Sequence, residues 1–236
     1  MKNKFKTKIY ADGADMSSIL KLNNKKIISG FTTNPSLMRK SGVKNYKDFC
    51  ISLLKKVKKK PISFEVFSDN LTEMKSQAIE IASWGKNVFV KIPIINSKNI
   101  NTTNLIKDLS ARGININVTA IFSIKQIKKL ITNFNPNSKI ILSVFAGRIA
   151  DTGVDPENII KTIYSSIKNK KNISILWASS REIFNLYQAE RSNCHIITLG
   201  ADLISKLEYY KKNLEEYSKE TVLQFNTDAK KSKFKL

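Results

Sequence analysis

Short apolar runs that read as strands alternate with amphipathic stretches along nearly the whole chain, and this alternation is the tightest constraint on the fold. The strand candidates are KIYAD (8–12), IISGFTT (27–33), ISFEVF (62–67), VFVKI (88–92), INVTA (116–120), IILSVF (140–145), ISILWAS (173–179) and HIITL (195–199). Residues 71–85, 101–113, 123–134, 156–169 and 181–193 carry apolar residues at helical spacing between them. Gly85 and Gly113 stand where helices should stop, and Pro156 stands where one should start. Strands separated by helices require parallel pairing, because parallel neighbours need a crossover connection. Eight such units in 236 residues fit a closed (β/α)₈ barrel, with a doubly wound open sheet as the alternative. The expected organisation is one α/β barrel over residues 1–208, then a C-terminal helix and basic tail over 209–236. That helix is read from SKLEYYKKNLEEYSKETVLQF.

Charge and composition narrow the function classes. The formal net charge is +22, from 41 Lys and Arg against 19 Asp and Glu. The lysines are spread over most of the length and dominate over arginine, so nucleic acid is not expected as the main partner. KKVKKK (55–60) reads as a solvated helix end and KKSKFKL (230–236) as a frayed terminus. No run is long and apolar enough for a membrane span, and the N-terminus lacks a signal-peptide core, so a soluble cytoplasmic chain is expected. Cys50 and Cys194 show no metal or redox spacing and read as reduced packing residues. His195 opens an apolar run and reads as structural. No Gly-rich phosphate loop of dinucleotide or Walker type occurs.

In a barrel, chemistry gathers at the C-terminal strand ends. There the sequence places Asp12, Thr33, Asn34, Glu65, Lys91, Asn117, Thr119, Ser143 with Arg148 beyond, and Ser179 with Arg181. Each has a plain alternative: Asp12 as a helix cap, Asn34 as a turn before Pro35, Thr119 as a strand former, Glu65 and Lys91 as a structural ion pair. Their coincidence on one rim suits carbonyl chemistry. A neutral lysine amine attacks a ketone, and loss of water leaves an iminium that draws electrons from the neighbouring carbon–carbon bond. Burial beside Val88, Val90 and Ile92 would favour the neutral amine, whereas Glu65 in direct contact would favour the ammonium. A bridging water between Glu65 and Lys91 would let the carboxylate move protons. Asp12 is the available base for the hydroxyl whose carbon is cleaved. Arg148 and Arg181 suit a phosphate at the far end of the substrate.

The segments YADGAD (10–15), GFTTNPSLMRKSG (30–42), VFVKIP (88–93), GININVTAIFS (113–123), SVFAGRIADTG (143–153) and WASSRE (177–182) together resemble the transaldolase family, in that family's order. The resemblance implies a (β/α)₈ barrel and metal-free, cofactor-free transfer of a dihydroxyacetone unit from a ketose phosphate to an aldose phosphate. Donors would be sugars of the pentose phosphate pathway, such as sedoheptulose 7-phosphate or fructose 6-phosphate. Lys91 matches the Schiff-base lysine and Asp12 the carboxylate that handles the hydroxyl proton. Glu65 and Thr119 match the pair that holds a proton-relaying water. Asn34, Asn117 and Ser143 match groups on substrate hydroxyls or the intermediate, with Thr33 and Phe145 in the same substrate-contacting set. Arg148, Ser179 and Arg181 match the phosphate end.

Short members of the family include fructose-6-phosphate aldolases, which resemble glutamine at the position of Glu65 and tyrosine at that of Phe145. Both residues here are similar to the transaldolase pattern, so transfer is expected over aldol cleavage. A non-catalytic basic binding protein is the third reading. Val144 and Ala146 replace the Pro and Val often seen in the family, and IPIINSKNI after Lys91 is more polar than the usual turn. The short branch is commonly oligomeric, so a homo-oligomer joined through the C-terminal helix is expected.

Overall fold

Inward and outward side chains alternate along each strand, so a parallel sheet buried on both faces needs apolar residues outside and a filled interior. The computed structural model describes residues 5–131 and 134–233 and meets this requirement with eight parallel strands closed into a barrel in chain order. They are β1 (Lys8–Asp12), β2 (Ile28–Thr32), β3 (Ile62–Glu65), β4 (Val88–Pro93), β5 (Ile116–Ile121), β6 (Ile140–Val144), β7 (Ile173–Trp177) and β8 (Ile196–Gly200). The (β/α)₈ expectation therefore holds, with strand ends within two residues of those expected.

The helices are α1 (Met16–Asn23), α2 (Pro35–Lys40), α3 (Tyr46–Lys56), α4 (Leu71–Ser83), α5 (Thr103–Ala111), α6 (Ile124–Ile127), α7 (Ala146–Ala150), α8 (Pro156–Ile167), α9 (Phe184–Arg191), α10 (Ala201–Ser205) and α11 (Leu214–Ser232). Local chemistry sets their starts. Asp15, Asn34, Asn45, Asn70 and Asp155 each accept a backbone N–H of the following turn, and Pro35 and Pro156 occupy the first helical turn.

Two helical expectations need correction. The helix expected over 123–134 ends at Ile127, where the Leu130 N–H closes a tighter three-residue turn on the Ile127 carbonyl. Its apolar residues Ile127 and Leu130 are still buried, so burial and not helix length explains their spacing; residues 132–133 lie outside the described residues. The C-terminal helix expected from 205 is two pieces: a 3₁₀ turn at Lys206–Tyr209, then α11. Lys211 takes a positive φ and Asn213 caps the new start by accepting from Glu215 N and Glu216 N, which breaks the run. The basic segment expected to fray is helical through Ser232, with Lys230 and Lys231 in the last turn, where the helix dipole favours cations. Residues 234–236 of that segment lie outside the described residues. The chain divides into two compact units between Ile204 and Ser205, the first being the barrel and the second containing α11.

Inside the barrel, Tyr10, Phe89, Ile141, Leu176, Ala178 and Ile196 form an apolar layer. Gly30 makes room for it: a Cβ there would fall 2.5 Å from Cζ of Tyr10. This layer is the floor on which the polar strand ends rest.

Candidate active site

Alternation along β4 decides what surrounds Lys91. Phe89 belongs to the interior layer, so Lys91 two residues on also points inward, while Val88, Val90 and Ile92 point out of the barrel. The expected apolar pocket made by those three residues is therefore not what buries the amine; the barrel interior is. Lys91 is 7% exposed, and its Nζ lies 3.0 Å from Glu65 Oε2 and donates to the carbonyl of Thr33 at 3.2 Å. Register explains the meeting, since Glu65 pairs across to Lys91 and Lys91 to Asn117 on adjoining strands. Glu65 thus touches the amine directly, where a water bridge was expected. Tyr46 donates its hydroxyl to the Glu65 carbonyl at 2.7 Å and fixes the end of β3.

Asp12, at the end of β1, accepts from Thr32 Oγ1 at 2.7 Å. Thr32 has one hydroxyl proton, so Thr198 Oγ1 at 2.5 Å must donate to it, and the carboxylate ends a relay of two hydroxyls. Burial pushes the Asp12 carboxyl above the usual range, while the Thr32 hydrogen bond and the Lys91 charge pull it back. Neither Thr32 nor Thr198 was singled out from the sequence. Their signal was position alone: each lies on the inward register of its strand, two residues beyond an interior residue.

Asn117 is fully buried and committed to its neighbours. Its Nδ2 donates to Ser63 Oγ at 2.9 Å, and its Oδ1 accepts from Ser143 Oγ at 2.6 Å. It ties β3 to β6 beneath the rim and does not line the cavity. The Thr33 side chain is likewise committed, to the carbonyl of Ser63. Asn34 caps α2 through Leu37 N and also lines the cavity. Thr119 is buried, lines the cavity and makes no hydrogen bond through Oγ1. A buried hydroxyl without a partner is costly, and one that faces a cavity is ready for water or substrate.

The far side of the rim is built by β6, β7 and their loops. Phe145 packs on Phe122, with ring centroids 5.7 Å apart, and the Arg148 guanidinium carbon lies 5.4 Å from the Phe145 ring centroid. Gly147 lets the two loops touch: its N–H donates to Ala178 O, and a Cβ there would fall 1.6 Å from the carbonyl oxygen of Ser179. Ser179 has φ +63° and lines the cavity beside Arg148. Arg181 does not line it. Its guanidinium forms a two-point pair with Asp151, which holds that carboxyl below the usual range.

Together Asp12, Asn34, Lys91, Thr119, Ser143, Phe145, Arg148 and Ser179 border one cavity of about 120 Å³ at the C-terminal end of the barrel. Glu65 joins through Lys91, whereas Thr33, Asn117 and Arg181 face elsewhere. Elsewhere in the barrel, His195 Nδ1 accepts from Ile175 N. Burial raises both free thiols, Cys50 and Cys194, to about 12. Among the described residues, no cluster of His, Cys, Asp or Glu is arranged to hold a metal ion, and no helix is long and apolar enough to cross a membrane.

Residues 9–236 match the family described as transaldolase/fructose-6-phosphate aldolase. A probable transaldolase of Nitrosopumilus maritimus is 33% identical over 230 residues, covering 94% of this chain and 99% of that protein. A probable transaldolase of Dehalococcoides mccartyi is 31% identical over 201 residues, covering 85% and 89%. Among solved structures, an N-acetylneuraminate lyase from Mycoplasma synoviae superposes with a TM-score of 0.57 at 14% identity, over 93% of this chain and 78% of that one. At that identity the likeness speaks for the barrel fold alone.

Proposed function

The chain belongs to the transaldolase/fructose-6-phosphate aldolase family, and we propose that within it this protein is a transaldolase acting through a Schiff base on Lys91. The observation that carries the proposal is the buried Lys91 amine, 3.0 Å from Glu65, in a cavity that Asp12 and Thr119 also line. Glu65 takes the ammonium proton, and the free amine adds to the ketone carbon of a ketose phosphate. Loss of water gives the iminium, with Glu65 and Thr119 holding the water that relays the protons. Asp12 removes the proton of the hydroxyl two carbons from the iminium carbon. The bond between that hydroxyl's carbon and the carbon next to the iminium breaks, the aldose phosphate leaves with the new aldehyde, and the bonding pair stays on the Lys91-bound fragment as an enamine.

The enamine carbon then attacks the aldehyde of an acceptor aldose phosphate, Asp12 returns the proton to the new hydroxyl, and hydrolysis frees Lys91. The raised Asp12 carboxyl suits this role, because it accepts a proton more readily than an exposed aspartate. The cavity of about 120 Å³ matches roughly four waters, the scale of a three-carbon unit. The phosphate would then lie outward at Arg148 and Ser179. Phe145 has no hydroxyl to protonate the enamine, which favours transfer over release.

Borohydride reduction in the presence of fructose 6-phosphate tests the covalent step. A stable adduct on Lys91 is expected, absent in Lys91→Met while the fold persists. An adduct on another lysine, or none with several ketose phosphates, refutes the assignment. Product formation should also require erythrose 4-phosphate as acceptor; equal turnover without it would make the enzyme an aldolase.

A further inference from the structure

The N-terminal mouth of the barrel, on the other side of the apolar floor from Lys91, opens into a recess of about 1020 Å³. Six lysines line it: Lys8, Lys59, Lys86, Lys139, Lys170 and Lys171. They come from the starts of five strands or from the loops just before them, and so form a ring around the barrel axis. No Asp or Glu lines the recess, although the chain carries 19 acids against 41 bases. None of the six enters an ion pair among the described residues. Lys170 alone is committed, to the carbonyl of Ile131. Like charges gathered in a concavity with low-dielectric walls focus a positive potential. At the neighbouring His195, burial first and the single charge of Lys8 second push the imidazole below its usual value.

We propose that this mouth binds a compact polyphosphate, a small molecule with three or more contiguous phosphate groups. The floor is closed by Tyr10, Phe89, Ile141 and Ile196, so the recess receives a compact anion end-on. A single-stranded nucleic acid needs a groove that tracks its backbone and several stacking rings. Here Phe134 is the one aromatic ring on the wall, Tyr10 and Phe89 being part of the floor. Lysines without arginine supply point charges suited to phosphate oxygens, with no planar fork to select a carboxylate. The volume lies at the upper end for small-molecule sites and leaves room for a partly hydrated anion. The site goes beyond the rim chemistry and stands or falls separately from it.

Calorimetric titration with sodium tripolyphosphate and with ATP, both without divalent cations, tests the site. One-to-one binding is expected. It should weaken by at least about tenfold in the triple variant Lys59→Gln, Lys86→Gln, Lys139→Gln, three exposed contacts each worth a factor of a few. It should persist in the charge-matched control Lys21→Gln, Lys107→Gln, Lys219→Gln and in Arg148→Ala. Equal affinity for the two probes gives recognition to the phosphates alone; tighter ATP binding adds a base contact at Phe134. Absence of binding, equal loss in both triple variants, or loss in Arg148→Ala overturns the proposal. Tighter binding of an oligothymidylate at the same lysines overturns it in favour of an extended polyanion.

Discussion

Gly147→Ala isolates the contact that joins the loops after β6 and β7 at the cavity rim. The added methyl would meet Ser179 O at 1.6 Å and Ser179 C at 2.7 Å, so about 1.8 Å of separation must be made before ordinary contact at 3.4 Å is restored. Both obstructing atoms are backbone, so no rotamer change relieves them. Overpacking of this kind costs about 1–3 kcal/mol, and loss of the Gly147 N–H bond to Ala178 O adds roughly 1 kcal/mol. A total of about 2–4 kcal/mol lowers the melting temperature of a chain this size by roughly 5–15 °C. The shift also moves Arg148, the next residue, against Ser179, and an ångström-scale misplacement costs about 10²-fold in kcat/KM. Gly13→Ala is the matched control on the same rim, because nothing lies within 4 Å of its Cβ position. It should be neutral or gain about 0.4–1 kcal/mol through the unfolded chain. Thermal melts and steady-state kinetics on both variants decide the matter. A Gly147→Ala protein as stable and active as Gly13→Ala would show that the two loops yield freely and that the close approach has no structural role.

Arg148→Ala should raise KM for a sugar phosphate about 10–100-fold, the value of one charge-assisted hydrogen bond, while Arg181→Ala should change it by less than about threefold, because Asp151 already occupies that guanidinium. Equal effects in the two variants would return Arg181 to the site. Thr32→Val removes the donor that lowers the Asp12 carboxyl, so the acid limb of kcat/KM should move to higher pH. The stability sign follows from the same shift: a carboxyl raised on folding binds its proton more tightly in the native state, so stability is lost as pH rises through the folded value. Urea melts across that range should show a larger loss in Thr32→Val. A limb that stays put or moves to lower pH would remove Thr32 from the relay.

The barrel was legible because strand-like runs recur in every unit, helical spacing separates most of them, and parallel strands leave few topologies. The errors fall where local chemistry overrides periodicity. Residues after Ile127 keep helical spacing, yet the chain only needs to bury Ile127 and Leu130 before returning to β6, and a turn suffices. At the C-terminus, Asn213 offers a capping oxygen in the midst of helix-forming residues, and a cap is a start signal that ends whatever precedes it.

Site residues were legible to the extent that strand-end position fixes direction. Asp12, Lys91, Thr119 and Ser143 fall on inward positions and reach the cavity. Hydrogen-bond commitment is not written in that pattern, and it separates Asn117, held at both ends by Ser63 and Ser143, from Thr119, whose hydroxyl is unpartnered. The same gap accounts for Glu65. Neighbouring-strand position leaves open a bridging water or direct contact, and the β3–β4 register brings the carboxylate to 3.0 Å from the amine. A buried ammonium held by a carboxylate and a carbonyl is a satisfied cation, not a nucleophile. In the proposed Schiff-base route an incoming ketone must therefore displace the Lys91–Glu65 contact, and the proton that leaves Lys91 has Glu65 as its nearest acceptor. Turnover would accordingly begin with proton transfer inside this pair, before any carbon–nitrogen bond forms.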